Sequence, residues 1–158
     1  MVRSTGGSMG EPVTTDWERF VQALARCLAQ LPSRATLIIA APGNRYVQFV
    51  QFDIKLSAEL AGNRYLAQPM SAAAERMLRE LGWRAPVSRL EIDNWQRSLF
   101  WPLAEPVLVE FARSVALGLQ HALGVRAPSE LRAMGWTEAS GDLDLTILGL
   151  VVKPSTDH

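Results

Sequence analysis

Few side chains in this 158-residue chain are of types that do chemistry, and their spacing does not join them into a site. His121 lies near the end of a predicted helix, and His158 is the last residue. A cation is favoured at a helix C-terminus, so a capping or surface role for His121 is preferred to catalysis. General acid–base or nucleophilic mechanisms need a histidine, a cysteine or paired carboxylates in one pocket. The sequence does not predict such a group.

The cysteine and the acidic residues lead to the same conclusion. Cys27 is the single cysteine, which rules out an internal disulfide and disfavours a thiolate metal site. Asp142 and Asp144 share one face of a predicted strand, where solvated edge charges are favoured over a metal pair. Nucleophile elbows, phosphate loops, dinucleotide fingerprints and zinc spacings are missing from the sequence. We therefore predict no catalytic residue, no cofactor and no metal site.

Composition narrows the class of partner. The 16 basic and 16 acidic residues balance, and no basic stripe predicts binding to nucleic acid. No apolar run approaches the roughly 20 residues that a membrane span needs. Residues 1–8 lack the apolar core of a signal peptide, and residues 1–12 are interpreted as a disordered N-terminus or an expression scar. We expect a cytoplasmic protein.

Hydrophobic periodicity indicates the elements that would position any site. Thr15 and Glu18 form a capping box at the start of a helix over 15–31, whose apolar residues recur at helical spacing. Later segments alternate between extended and helical patterns. Strands are predicted over 35–41, 45–52, 54–60 and 93–101, and helices over 71–81 and 104–123. The order is thus helix, three strands, helix, strand and long helix.

The C-terminal part is less regular. A short helix is predicted over 129–134 and a last apolar extended segment over 143–152. This segment either joins the edge of the sheet or lies along another chain. The predicted organisation is a domain at 13–135 followed by a C-terminal extension at 136–158.

Two strands carry the candidate binding residues. The 45–52 strand is apolar on both faces, with Val47 and Phe49 opposite its other large side chains, so both faces need cover. The 93–101 strand carries two tryptophans for which core and recognition roles are equally favoured. The residues predicted to bind a partner are Tyr46, Val50, Phe52, Trp95, Leu99 and Trp101.

Short motifs along the chain resemble actinobacterial proteins of the TY-Chap group, which is related to type III secretion chaperones and YbjN-like proteins. The resemblance covers about residues 15–133. The stretches that carry it are Arg45-Tyr46-Val47-Gln48-Phe49, Asn63-Arg64-Tyr65-Leu66, Leu81-Gly82-Trp83 with Pro86, Asn94-Trp95, Gly124-Val125 and Pro128-Ser129-Glu130-Leu131.

The resemblance implies an α+β fold: an antiparallel β-sheet flanked by helices in the order α-β-β-β-α-β-(β)-α, often as a homodimer. It also implies a non-enzymatic module that holds an apolar segment of a client protein or peptide on its sheet, and it supplies no catalytic residues. The alternative is a structural or regulatory homodimer whose apolar surface is only its own interface. A third hypothesis, an enzyme with a site near Trp95, Arg97 and His121, is the least favoured.

Overall fold

The first helix begins where the sequence predicts. The computed structural model describes residues 15–155, so the prediction for residues 1–12 lies outside the described part of the chain. Helix α1 spans Asp16–Ala29, and the Thr15 hydroxyl accepts a hydrogen bond from the Glu18 backbone N–H at 3.0 Å. That bond satisfies one of the N–H groups that a helix N-terminus leaves without an intrahelical partner.

Three helices and seven strands follow one another along the described residues. The helices are α1, α2 (Ala72–Glu80) and α3 (Glu105–Leu117), and α3 continues as a π-helical turn over Gly118–Ala122. The strands are β1 (Thr36–Ala41), β2 (Arg45–Gln51), β3 (Lys55–Leu60), β4 (Trp95–Phe100), β5 (Arg132–Thr137), β6 (Gly141–Asp142) and β7 (Val151–Val152).

All the strands join one sheet. Their order is β4-β3-β2-β1-β5-β6, and β7 also pairs with β5. The pairs are antiparallel except for β5 with β7, which is parallel. This arrangement confirms the predicted α+β class with an antiparallel sheet flanked by helices.

The helices cover one face of the sheet. The rings of Phe49 on β2 and Phe111 on α3 meet edge to face with centroids 6.3 Å apart. Gly118 lets α3 approach closely, because a Cβ there would lie 3.1 Å from a Leu60 methyl group and 3.4 Å from a Leu78 methyl group on α2. Leu37 and Phe49 are fully buried on this face.

The C-terminal predictions need correction. The helix predicted over 129–134 is a 3₁₀ turn at Pro128–Glu130 followed by strand β5, so the fifth long strand comes after α3 rather than before it. The strand predicted over 143–152 is also wrong. That segment makes a 3₁₀ turn at Thr146–Leu148, and within it only Val151–Val152 form a strand, which joins the edge of the sheet beside β5.

The inner face of β5 explains the missed strand. Its covered residues Ala133 and Gly135 are small, while the bulky Met134 and Trp136 point to the opposite face. A Cβ at Gly135 would lie 3.1 Å from a Leu143 methyl group, so the glycine makes room for the C-terminal segment. Because β5 runs to Thr137, the predicted domain boundary at 135 falls inside a strand.

Cys27 belongs to the core beneath α1. It is 4% exposed, and burial raises the pKa of its thiol from 9.0 to about 11. Desolvation disfavours the thiolate and leaves the thiol neutral near pH 7.

None of the described helices is long and apolar enough to cross a membrane.

We predict that the free energy of unfolding falls at alkaline pH because the buried Cys27 thiol resists ionisation. Since its folded pKa lies above its unfolded value, its contribution is full below pH 9 and is lost as the pH rises from 9 to 11. The unfolding free energy of the wild type minus that of Cys27→Ala should fall by about 2–3 kcal/mol across this range. Urea unfolding under reducing conditions measures it, and parallel pH profiles for the two proteins would contradict it.

Candidate functional site

The face of the sheet opposite the helices is a candidate surface. Strand alternation turns Ile38, Val50 and Met134 to this face, and all three are half-buried. The register aligns Ile38 with Gln48 on β2 and with Met134 on β5. Within residues 15–155, no helix packs on these side chains. We call this surface the open face.

The outer edge of β4 adds backbone groups to this surface. Gln96 uses its outward groups on Arg84: its N–H donates at 3.0 Å, and its carbonyl accepts from the Arg84 N–H at 2.8 Å. Because outward and inward positions alternate along an antiparallel strand, Ser98 and Phe100 also direct their N–H and C=O groups outward. In the described part of the chain, no further strand pairs there. This stretch is an open strand edge.

An apolar cluster lies beside the open edge. Phe52, Ile54 and Phe100 are 47%, 65% and 62% exposed. Together with Val50 they line a groove of about 590 Å³, and we call these four residues the edge cluster. Large apolar side chains grouped at the surface mark interaction sites more reliably than single ones do.

Charged side chains frame the groove. Arg34, Asp53 and Lys55 also line it, and the Lys55 ammonium lies 5.2 Å from the Phe52 ring centroid in a cation–π contact. The rim therefore carries both signs of charge and favours neither acidic nor basic ligands strongly.

Three of the predicted partner-binding residues lie on the open side. Val50 and Phe52 belong to the edge cluster. Tyr46 lies on the open face four residues before Val50 on the same strand. Its hydroxyl accepts a hydrogen bond from the Asn94 amide at 2.9 Å. The structure thus brings Val50 and Phe52 together and leaves Tyr46 at a separate polar junction.

The other three predicted residues serve the fold. Trp95 is 2% exposed and packs beneath the Arg79 guanidinium at 5.5 Å, and Leu99 is half-buried against the core. The Trp101 indole N–H donates to the Gln51 side-chain oxygen at 2.9 Å, which fixes the indole to the base of the β2–β3 hairpin. These residues face the helical layer or the hairpin, and they do not join the edge cluster.

Sequence reasoning missed Ile54 and Phe100. Alternation along the predicted 54–60 strand places Ile54 on the same side as Leu56, but β3 begins at Lys55 and the hairpin turn at 52–54 breaks the alternation. The signal for Phe100 was present, because alternation that turns Trp95 inward must turn Phe100 outward.

Arg45, which lies in one of the stretches that resemble the TY-Chap group, connects the hairpin of β1 and β2 to the segment that follows α3. The Arg45 guanidinium donates to the carbonyl of Gly124 at 3.1 Å and to the Glu130 carboxylate at 3.3 Å. The Arg126 backbone N–H holds the pKa of Glu130 below its usual range, and Arg45 adds to this effect. The carboxylate therefore stays charged and keeps the clamp closed near neutral pH.

A second motif fixes the start of β4. The Asn94 side-chain oxygen accepts the Gly62 backbone N–H at 3.0 Å, and its amide donates to the carboxylate of Glu59 at 3.1 Å. A Cβ at Gly62 would lie 2.0 Å from the Asp93 carbonyl oxygen, so only glycine fits this approach. The motif orients the strand that carries the open edge.

Among residues 15–155, no group of three His, Cys, Asp or Glu side chains could hold a metal ion. His121 is exposed at the end of the π-helical turn. Arg97 is engaged by Ser114 at 2.8 Å and Glu110 at 3.0 Å, within the contact between β4 and α3.

A protein-family model matches residues 10–137, which is more than half of the chain. Its description is T3SS (YopN, CesT) and YbjN peptide-binding chaperone 3, or TY-Chap3. The chain belongs to the TY-Chap3 family. No curated protein and no solved structure matches it. The predicted resemblance to the TY-Chap group is confirmed.

The TY-Chap3 assignment agrees with the geometry of the sheet. Family membership supports a peptide-binding, chaperone-like role. An extended peptide recognises an open strand edge through main-chain hydrogen bonds, and pockets beside the edge select its side chains. The open edge at Ser98 and Phe100, with the edge cluster beside it, supplies both elements.

We predict that alanine substitution of two aromatic residues of β4 lowers the unfolding free energy by very different amounts. Trp95→Ala should lower the unfolding free energy by about 3–5 kcal/mol, because it leaves a cavity in the core. Phe100→Ala should change it by no more than about 0.5 kcal/mol, since that ring is mostly exposed. Urea unfolding of both variants checks the pair, and equal losses would contradict the assigned faces.

Proposed function

We propose that this TY-Chap3 protein binds an extended apolar segment of a client protein as an added strand on the outer edge of β4. The observation that supports this most directly is the conjunction of two features. Ser98 and Phe100 direct backbone groups outward, and the exposed rings of Phe52 and Phe100 lie beside them. We propose that the binding is non-enzymatic. We also propose that it takes place in the reducing cytoplasm, which is consistent with the free, buried thiol of Cys27.

Backbone pairing supplies affinity without reading the sequence of the client. Each outward residue of β4 offers one donor and one acceptor, and Gln96 has already used its own on Arg84. The client strand therefore begins beyond Gln96 and runs along Ser98 and Phe100. So short an edge gives few hydrogen bonds, each with a net contribution of about 1 kcal/mol. Apolar contacts must provide the remainder.

The edge cluster supplies those apolar contacts. Alternate side chains of an added strand point to the same side, so one set meets the exposed Phe100 ring on the open face. Burial of an exposed phenylalanine or isoleucine contributes roughly 1.5–3 kcal/mol per side chain. Because Arg34, Asp53 and Lys55 at the rim have mixed charge, we propose that apolar pattern rather than client charge determines selection.

Proline at Ser98 tests the backbone contact. Ser98→Pro removes the outward N–H, and the inward hydrogen bonds of β4 with β3 come from the alternate residues Arg97 and Leu99. A labelled peptide that alternates leucine and threonine over nine residues, with lysine pairs at its ends, is the probe. Fluorescence anisotropy should show roughly a tenfold weaker affinity, the equivalent of about 1.4 kcal/mol.

Ser98→Ala is the matched control. Both substitutions remove the 3.2 Å contact between the Ser98 and Ser57 hydroxyls, but only proline removes the backbone donor. The alanine variant should bind the peptide as the wild type does. Equal affinity of the proline variant and the wild type would refute strand addition at this edge.

A second copy of the chain is the competing occupant of the same surface. The exposed Ile54 and Phe100 are of the residue types that dimer interfaces bury. If the edge cluster served only self-association, Ser98→Pro and Phe100→Asp would convert a dimer into a monomer in light scattering. The wild type would then bind no labelled peptide. Peptide binding that persists in the wild type favours the client.

A further inference from the structure

The opposite edge of the sheet is closed by the chain itself. The tail segment, which we define as residues 141–153, runs beside β5 and pairs with it twice. Gly141 and Asp142 pair antiparallel with Thr137 and Trp136, and β7 pairs in parallel with the start of β5. The Leu143 N–H donates to the Gly135 carbonyl at 2.9 Å, and the Lys153 N–H donates to the Ala133 carbonyl at 2.8 Å. The tail thus takes the outward carbonyls of β5.

The contacts of the tail have the form of a bound peptide. Leu145 and Leu148 are 3% and 5% exposed, whereas Asp142 and Asp144, on either side of Leu143, are exposed. Because Gly135 has no Cβ, the methyl groups of Leu143 and Leu145 can pack against its backbone. A Cβ at this position would lie 3.1 Å from the Leu143 methyl group and 3.4 Å from the Leu145 methyl group. Main-chain bonds to an edge, with alternate side chains in pockets, define peptide recognition by strand addition.

Two further observations separate the tail from the domain it covers. The family match ends at residue 137, and the tail begins after the exposed turn at 138–140. The tail also leaves space unfilled: a groove of about 730 Å³ lies between α1, at Phe20 and Ala23, and residues 147–151. Val151 and Val152 remain 56% and 43% exposed although their backbones pair with β5.

We propose that the outer edge of β5, together with the adjoining groove of α1, is a second peptide-binding site that the tail occupies in cis. The ligand class follows from the occupant. It is an extended peptide with leucine-like side chains at alternate positions, as at Leu143 and Leu145, and a third apolar side chain after a turn, as at Leu148. This site is separate from the edge of β4 and does not depend on the function proposed there.

Tethering explains how the site stays closed. A segment joined by a short turn has an effective concentration in the millimolar range or above, so free peptides compete poorly while the chain is intact. A partner with the same pattern gains access when the tail is displaced. Cutting the turn turns the tail into an ordinary ligand that dilution can remove.

Cleavage of the exposed turn tests the proposal on the folded, full-length protein. A specific protease site inserted between Ala139 and Ser140 allows the chain to be cut after folding. The cut protein should keep its circular dichroism spectrum and retain the C-terminal fragment on gel filtration. A fluorescein-labelled synthetic peptide of residues 139–155 should then replace that fragment, and it should bind the uncut protein at least 100-fold more weakly.

A matched peptide tests the pockets. The labelled peptide with Leu145→Ala and Leu148→Ala should bind the cut protein at least tenfold more weakly than the unchanged peptide. Equal binding would overturn the assignment of the leucine pockets. Unfolding of the cut protein once the fragment leaves, or no exchange with the labelled peptide, would show that the tail belongs to the core and overturn the proposal. Ser98→Pro should leave the exchange unchanged, which separates this result from that at the edge of β4.

Discussion

Side chains of a β-strand alternate between two faces, and the helices of the described chain cover only one of them. Phe49 of β2 meets Phe111 of α3 at 6.3 Å on the covered face. That contact sets which residues of every paired strand face the helices, because a shift of one residue would exchange the two faces. Trp95 therefore lies in the core, and Val50 and Phe100 lie on the open face. The candidate site follows from this single choice of face.

The two edges of the sheet differ in how far their backbone N–H and C=O groups are paired. A strand edge presents N–H and C=O groups that seek partners, and proteins usually cover or interrupt it. The tail segment covers β5, while among residues 15–155 the edge of β4 is paired only at Gln96, by Arg84. The Arg45–Glu130 clamp and the Asn94 junction hold the strands between these edges. Two of the stretches that carry the resemblance to the TY-Chap group, at Arg45 and at Asn94, thus hold the sheet together.

The parts of the fold with strong local signals were predictable from sequence. The capping residue Thr15 predicts the start of α1, and the residue types of Pro42, Gly43 and Asn44 favour the turn that separates β1 from β2. Strand β5 was missed because its covered face carries only small residues, whose size is set by the distant Leu143 and Leu145. Two of the four residues of the edge cluster, Val50 and Phe52, were predicted from the alternation of side chains along their own strand. Ile54 was missed because the hairpin turn interrupts that alternation. Family resemblance indicated the fold but did not locate the edge cluster.

Residue-resolved amide hydrogen exchange of the protein without any added peptide tests the central claim most directly. We predict that the amides of Ser98 and Phe100 exchange orders of magnitude faster than those of Arg97 and Leu99, which belong to the same strand but face β3. Equal protection of all four amides would show that the edge of β4 is already covered, and it would contradict an open site for an added strand.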